Sequence, residues 1–320
     1  MIDPRLQTLR VLRELGTVTA AAEALHLTPS TVSQQLRLLA RDLDVQLLEQ
    51  IGRRVRLTSA GHTLVRHADV LAAQAERAKA ELALERDSVA GVLRISAMPT
   101  ALVALVAPAA ARLRDAHPRL AVQMNEDESR QCYELLLLGD TDLGVLIPTA
   151  GSPTTDDPRF EQFPLIDEPQ DLLVAADHPL ADRTSVALTE AAEETWIGAP
   201  ERVAHNQLQL SACAAAGFTP RIVHRGMDWL GISAMVTRGF GVSLIPRLAD
   251  LPGAHDVVRV PLHGDTRPTR RHVACIRRGS GGHPAIAAGL AAVRAVCEER
   301  TDVVLVRRAP HTPRTSAVGA

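Results

Sequence analysis

The chain has 320 residues, which at roughly 100–200 residues per domain sets an expectation of two or three domains. Hydrophobic residues make up 46% and charged residues 22%, which excludes a wholly disordered chain; only four Phe, two Trp and one Tyr are present, which disfavours a haem pocket or an aromatic base-stacking surface. The formal net charge of −2 divides into +2 over 1–58, −1 over 59–90, −9 over 91–262 and +6 over 263–320, so basic ends flank an acidic middle and one of them suits nucleic acid.

Segment 1–58 carries Leu and Val at helical spacing. Leu6, Leu9 and Leu12 predict a first helix, and residues 19–25 a short second one with Thr19 as its cap. After the break His26-Leu27-Thr28 a third helix follows. Thr28 can cap it, and Pro29 suits the first helical position, where no N–H is needed. So tight a break between two short helices has the form of a helix-turn-helix. At roughly 100° per residue, Val32, Leu36, Leu39 and Leu43 share one stripe of the third helix. Ser30, Gln34, Arg37 and Arg41 lie about 140–200° away from Val32, with Thr31 and Ser33 on the flanks. Hydroxyl, amide and guanidinium groups on one face are the groups that contact base edges and phosphates in a major groove.

Residues 51–58 follow, with Gly52 for a turn and Val55 and Leu57 alternating with Arg54 and Arg56. This pattern predicts a β-wing presenting Arg53, Arg54 and Arg56 to a phosphate backbone. Residues 59–88 predict a long helix whose Leu64, Ala68, Leu71, Ala75, Ala78 and Leu82 form a seam at alternating steps of four and three, suited to self-association. A helix-turn-helix usually reads paired half-sites as a dimer, which favours that use of the seam.

From Gly91 the pattern becomes alternating strands and helices: strand 92–95, helix 102–117, strand 120–124, helix 129–138 and strand 143–147, hence parallel βαβ units. A Pro/Thr/Gly/Asp-rich stretch, 148–158, predicts a crossing to another lobe, with candidate strands at 172–175, 196–197, 222–223 and 242–245. Strand 273–276 and helix 284–299 would return to the first lobe, and the tail after 300 is expected to be disordered.

Cys132, Cys213, Cys275 and Cys297 are far apart, with no C-x-x-C and no His at metal spacing; neither structural disulfides nor a zinc site nor another cofactor is expected. The N-terminus lacks a signal peptide's apolar run and no stretch of ~18 apolar residues occurs, so a cytoplasmic protein without membrane contact is expected. No Gly-x-Ser-x-Gly elbow, P-loop or complete dinucleotide fingerprint appears, and no enzyme is expected.

Taken together, residues 17–36 (Thr17-Val-Thr-Ala-Ala-Ala-Glu-Ala-Leu-His-Leu-Thr-Pro-Ser-Thr-Val-Ser-Gln-Gln-Leu36), 43–49 and 54–61 resemble the LysR-type transcriptional regulators. Weaker echoes lie at 139–145, 177–180 and 239–246. The resemblance implies an α/β multidomain chain: an N-terminal all-α winged helix-turn-helix (1–58), a linker and dimerisation helix (59–90), and a two-lobed α/β effector-binding domain (91–300) of the type 2 periplasmic binding protein kind. Lobe 1 would span about 91–150 and 268–300, and lobe 2 about 160–265. By the same resemblance Thr28, Ser30, Thr31, Ser33, Gln34 and Arg37 would read a pseudo-palindromic double-stranded operator. Arg53, Arg54 and Arg56 would hold phosphates, RNA polymerase would be a partner, and homodimers or homotetramers would form. Departures from the family pattern are Leu48 for an aromatic residue, Gln50 for a basic one, and Asp127 for Gly.

For the small effector expected between the lobes, Met98-Pro-Thr100 follows a strand and opens a helix, whose N-terminus suits an anionic group. Thr100 is the foremost contact, with Met98 beside it. Ala199-Pro200 and Met227 are assigned to the opposite lobe's side, and Ser129, Pro148 and Val242 are added from topology. Glu126 and Asp127 oppose a highly charged anion, which favours a mono-carboxylate, an amphipathic metabolite or an amino acid. Two alternatives stand beside this reading. One is a redox-sensing regulator using Cys132 or Cys213; the other is a small-molecule-binding protein with no role on DNA, which would leave the first 90 residues unexplained.

Overall fold

Asp3 accepts from the N–H of Arg5 at 2.9 Å ahead of Pro4, and so starts α1 (Pro4–Leu15), which Gly16 ends at φ 75°. The computed structural model describes residues 3–51, 54–85, 89–201, 203–264 and 267–306. Helix α2 (Val18–Ala24) is capped by Thr17, whose hydroxyl accepts from the Ala20 N–H at 3.1 Å. Thr19 is therefore not the cap: Thr17 is the last residue with extended backbone. After a turn through His26 (φ 53°), Thr28 caps α3 (Pro29–Asp42) by accepting from the Thr31 N–H at 3.1 Å. Strands β1 (Leu48–Ile51) and β2 (Arg54–Leu57) pair antiparallel as the wing. Thr58 then caps α4 (Ser59–Leu84).

These elements share one core, built from Leu6, Leu9, Leu12, Val32, Leu36, Leu39, Leu47, Leu57, Val65 and Ala68. Leu43 does not join the apolar stripe: it follows the end of α3 and is 47% exposed. A buried ion pair ties α1 to α4, with Arg10 Nε donating to Asp69 at 2.6 Å and Arg13 adding a second contact at 3.2 Å. Helix α4 packs so closely on the segment before the wing that a Cβ at Gly61 would collide with the Leu47 carbonyl oxygen.

Strand β3 (Gly91–Ala97), helix α5, strand β4 (Leu120–Glu126), helix α6 (Ser129–Leu138) and strand β5 (Leu143–Leu146) follow. Helix α5 runs through Pro99–Ala101, a π-helical Leu102–Val106 and Ala107–Ala116. Pro108 lacks an N–H for the carbonyl one turn back, and the wider turn, with Ala107 N–H donating to Leu102, sits directly before it. The strands lie parallel in the order β4-β3-β5.

The remaining elements are β6 (Phe160–Ala175), β7 (Val186–Ala187), β8 (Thr195–Gly198), α7 (Ala204–Ala215), β9 (Arg221–Arg225), α8 (Trp229–Val236), β10 (Ser243–Pro246), β11 (Val257–His263), β12 (Thr269–Arg277), α9 (Pro284–Glu298) and β13 (Val304–Leu305). Strands β10 and β11 pair antiparallel with β6, and β8 pairs parallel with β9. The expected strand 172–175 is the end of the much longer β6, and β11 was not expected at all. Val304 and Leu305 pair with Asp167 and Ile166, so the tail expected to be disordered begins with ordered chain; 307–320 lie outside the described residues. Two compact units result. The first holds 1–146, 150–162 and 275–295, and the second 147–149, 163–274 and the chain from 296. The N-terminal helices and α4 thus belong to the same unit as β3 to β5. Among the described residues, no helix is long and apolar enough to cross a membrane.

Candidate nucleic-acid interface and effector positions

On α3, Val32 and Leu36 are buried while Thr28, Ser30, Gln34 and Arg37 are exposed and Thr31 and Ser33 half-buried. The Thr28 hydroxyl lies 2.8 Å from those of both Ser30 and Thr31, a compact polar cluster at the helix start. Arg37 Nε donates to the Ser33 carbonyl at 3.3 Å. Behind this face Thr8 of α1 donates to Gln35 at 2.6 Å, which fixes the rotation of α3 on its neighbour. The face therefore offers hydroxyl, amide and guanidinium groups outward from a helix held by its apolar side.

In the wing, Arg56 stands opposite Glu49 and pairs with it at 2.6 Å, both partly in solvent. Such an exposed pair is worth about 0–1 kcal/mol, so a phosphate can compete for Arg56. Arg54 is described for its backbone only, and Arg53 lies outside the described residues. Beside the wing a hollow is lined by Arg56, His62, Thr63 and Arg66. His62 and Arg66 escaped the sequence reading; their signal is the i, i+4 spacing that puts both on one side of α4.

In the first unit, Met98 and Thr100 follow β3 and Ser129 follows β4, so all three lie beyond the carboxyl ends of parallel strands, where ligands bind in open α/β sheets. All three are buried. Met98 takes the cap position of α5, and Thr100 sits inside its first turn and does not cap it. Asp127 donates its N–H to the Ala97 carbonyl at 2.9 Å, while its Oδ2 is buried with no hydrogen-bond partner among the described residues.

In the second unit, Ala199 and Pro200 follow β8, and Pro148 belongs to the short segment after β5. Met227 is 58% exposed between β9 and α8. Val242 pairs with the β8 backbone and its side chain packs in a core with Trp196, Leu172 and Leu244, so it offers no open surface. A buried polar layer went unnoticed in the sequence. Glu168 of β6 accepts from Arg270 at 2.6 Å and lies 2.7 Å from His272 Nε2, both of β12. Burial alone would raise the Glu168 carboxyl, yet the Arg270 charge and the His272 hydrogen bond hold it down at about 2. His205 of α7 is buried and pushed down to about 3 by desolvation and by the Arg270 charge. The signal for this layer was the alternation Glu168-x-Gln170 and Arg270-x-His272.

All four cysteines are buried and unpaired. Burial pushes the Cys132, Cys213 and Cys297 thiols up to about 12 and Cys275 well above its ordinary value.

A model of the LysR substrate binding domain matches residues 86–314, and one of the bacterial regulatory helix-turn-helix proteins of the lysR family matches residues 4–62. The chain is 29% identical over 244 residues to the hydrogen peroxide-inducible genes activator of Dickeya chrysanthemi, covering 76% of this chain and 78% of that one. It is 28% identical over 247 residues to the transcriptional dual regulator GltC of Bacillus subtilis, covering 73% and 80%. Among solved structures, a full-length OxyR variant from Pseudomonas aeruginosa matches with a TM-score of 0.65 at 21% identity, over 97% of this chain and 99% of that one, a likeness of fold. With a capped helix-turn-helix and wing under one family model and the βαβ units under the other, the chain belongs to the LysR family of transcriptional regulators.

Proposed function

We propose that the chain reads a pseudo-palindromic operator as a dimer or tetramer, through Thr28, Ser30, Thr31, Ser33, Gln34 and Arg37, with Arg53, Arg54 and Arg56 on phosphates. The observation that carries this reading is the exposed polar face of α3 opposite its buried apolar one. Regulators of this family bind DNA and small-molecule effectors and oligomerise. The division of labour we assign is 1–58 for DNA, 59–90 for linking and dimerisation, and 91–300 for the effector, in lobes of about 91–150 with 268–300 and about 160–265. Work on DNA puts the protein in the cytoplasm as a non-catalytic regulator, with RNA polymerase as a further partner. Chromatin immunoprecipitation of the tagged protein tests this: discrete promoter-proximal sites sharing a dyad motif are expected, and uniform background enrichment would sink it.

The effector we assign is a small mono-carboxylate, an amphipathic metabolite or an amino acid. Its contacts would be Met98, Thr100, Ser129 and Pro148 in the lobe of 91–150 and Ala199, Pro200 and Met227 in that of 160–265. Helix starts after β3 and β4 support an anionic group, and Asp127 weighs against a strongly charged one. A thiol-based sensor is the second reading, favoured by the likeness to an activator of hydrogen peroxide-inducible genes. It requires a reactive thiolate. With their thiols near 12, Cys132 and Cys213 are ionised to roughly one part in 10⁵ at pH 7, which favours the small-molecule reading.

A further inference from the structure

The first unit contains a cavity of about 690 Å³ that neither the DNA-reading face nor the effector positions use. It lies wholly within that unit. One wall is α4, through Ala72, Ala75 and Lys79; the other is the start of β3, at Val92 and Arg94, together with the turn from Arg277 into α9 at Ile286. Its size falls within the range of roughly 300–1,000 Å³ usual for small-molecule sites. Alanines on α4 keep it open where larger side chains would close it.

Its charge is unbalanced. Arg277 donates through Nε to Glu76 of α4 at 3.1 Å and through a terminal nitrogen to Asp142 at 3.0 Å, with the Thr141 and Leu136 carbonyls taking the rest. The same two carboxylates must also answer Lys79, 2.7 Å from Glu76, and Arg94, 4.0 Å from Asp142. Three cations thus share two acids, and the two cations nearest solvent, Lys79 and Arg94, keep donors to spare. Below them Ala72, Ala75, Val92 and Ile286 present apolar surface. Helix α9 opens into the same space with the first-turn residues Ala285 and Ile286, behind Pro284.

We propose that this cavity is a second small-molecule site, distinct from the effector positions, for an organic anion with an apolar body. Lys79 and Arg94 hold the anionic group, and the body lies against Ala72, Val92 and Ile286. Ala75 and Leu82 of the expected self-association seam border the cavity, while Leu71 points ~100° around α4 from Ala72, so a second copy on that seam would flank the site and not fill it. A ligand here touches the linker helix and the β3 sheet at once, so its occupancy reaches the DNA-reading helices through α4.

The test is a fluorescence titration of the full chain with 8-anilinonaphthalene-1-sulfonate, an aromatic sulfonate of the stated class. One saturable site is expected, weakened by at least about tenfold in Lys79→Ala/Arg94→Ala and abolished by Ala72→Phe, which fills the cavity. Thr100→Val leaves it unchanged, which separates it from the effector positions. Hydrogen exchange with the dye bound should slow over 72–83 and 280–286. Affinity within about twofold of the parent in the double variant, loss of binding in Thr100→Val, or protection confined to other segments would each overturn the assignment.

Discussion

Gly61 shows how a single position holds the reading head together. Any Cβ there would meet the Leu47 carbonyl oxygen, so Gly61→Ala must push α4 away from the segment that leads into the wing. A loss of about 1–3 kcal/mol is expected, read as a lower urea midpoint for the N-terminal helices; an unchanged midpoint would show that α4 has room to move. In the second unit the telling residue is His205. Its pKa near 3 in the folded chain compares with about 6.5 in an unfolded one. The unfolded state therefore binds more protons between those values. His205 contributes fully above pH 6.5, and that contribution is lost as pH falls toward 3. Buried His272, lowered by desolvation, acts in the same direction, and Glu168 adds to it only in stronger acid. Stability should fall as pH drops from about 6.5 to about 5, by up to about 1.4 kcal/mol per pH unit through His205. His205→Gln should flatten that slope, and an identical slope would mean that His205 is protonated without cost.

At the scale of elements, α3 was legible because its apolar residues recur at helical spacing and Thr28 and Pro29 mark its start; α6 was legible from its place between two strands, although no side chain caps it. Strand β6 was not. Its stretch 160–171 contains Pro164, Pro169, Asp167, Glu168 and Asp171 and reads as a loop, yet Glu168 faces inward to Arg270 and His272. A strand whose polar residues are satisfied by another strand about a hundred residues away leaves no local trace. Strand β11 was hidden by Pro261, which occupies the last pair of its ladder with β6. The seam of α4 was legible only in part. Ala68 is consumed by the N-terminal core, while Leu71 and Leu82 remain 47% and 65% exposed. In the proposed dimer these two leucines meet the second copy. Leu71→Glu should therefore abolish self-association without unfolding the chain, as seen by light scattering at unchanged circular dichroism. An oligomer of unchanged mass would move the contact elsewhere.

For the whole molecule, the N-terminal family and the βαβ units could be read from motif order and alternation, whereas the effector positions rested on topology, with little chemistry to narrow them. A ligand that binds one arrangement of the effector-binding part better than another shifts the population toward it. Binding should also raise the melting temperature by linkage. In a thermal-shift screen of carboxylates and amino acids, Thr100→Val should remove most of the rise given by any hit; a rise that persists in full would take Thr100 out of the site. The reading of DNA by α3 remains the central claim, and selection of bound duplexes from a random pool tests it most directly. The full-length chain should enrich a pseudo-palindromic motif. Gln34→Ala should lose about 1–3 kcal/mol on that motif and relax its base preference at one position per half-site. Failure to enrich any motif, or the same motif and affinity with Gln34→Ala, would contradict the account.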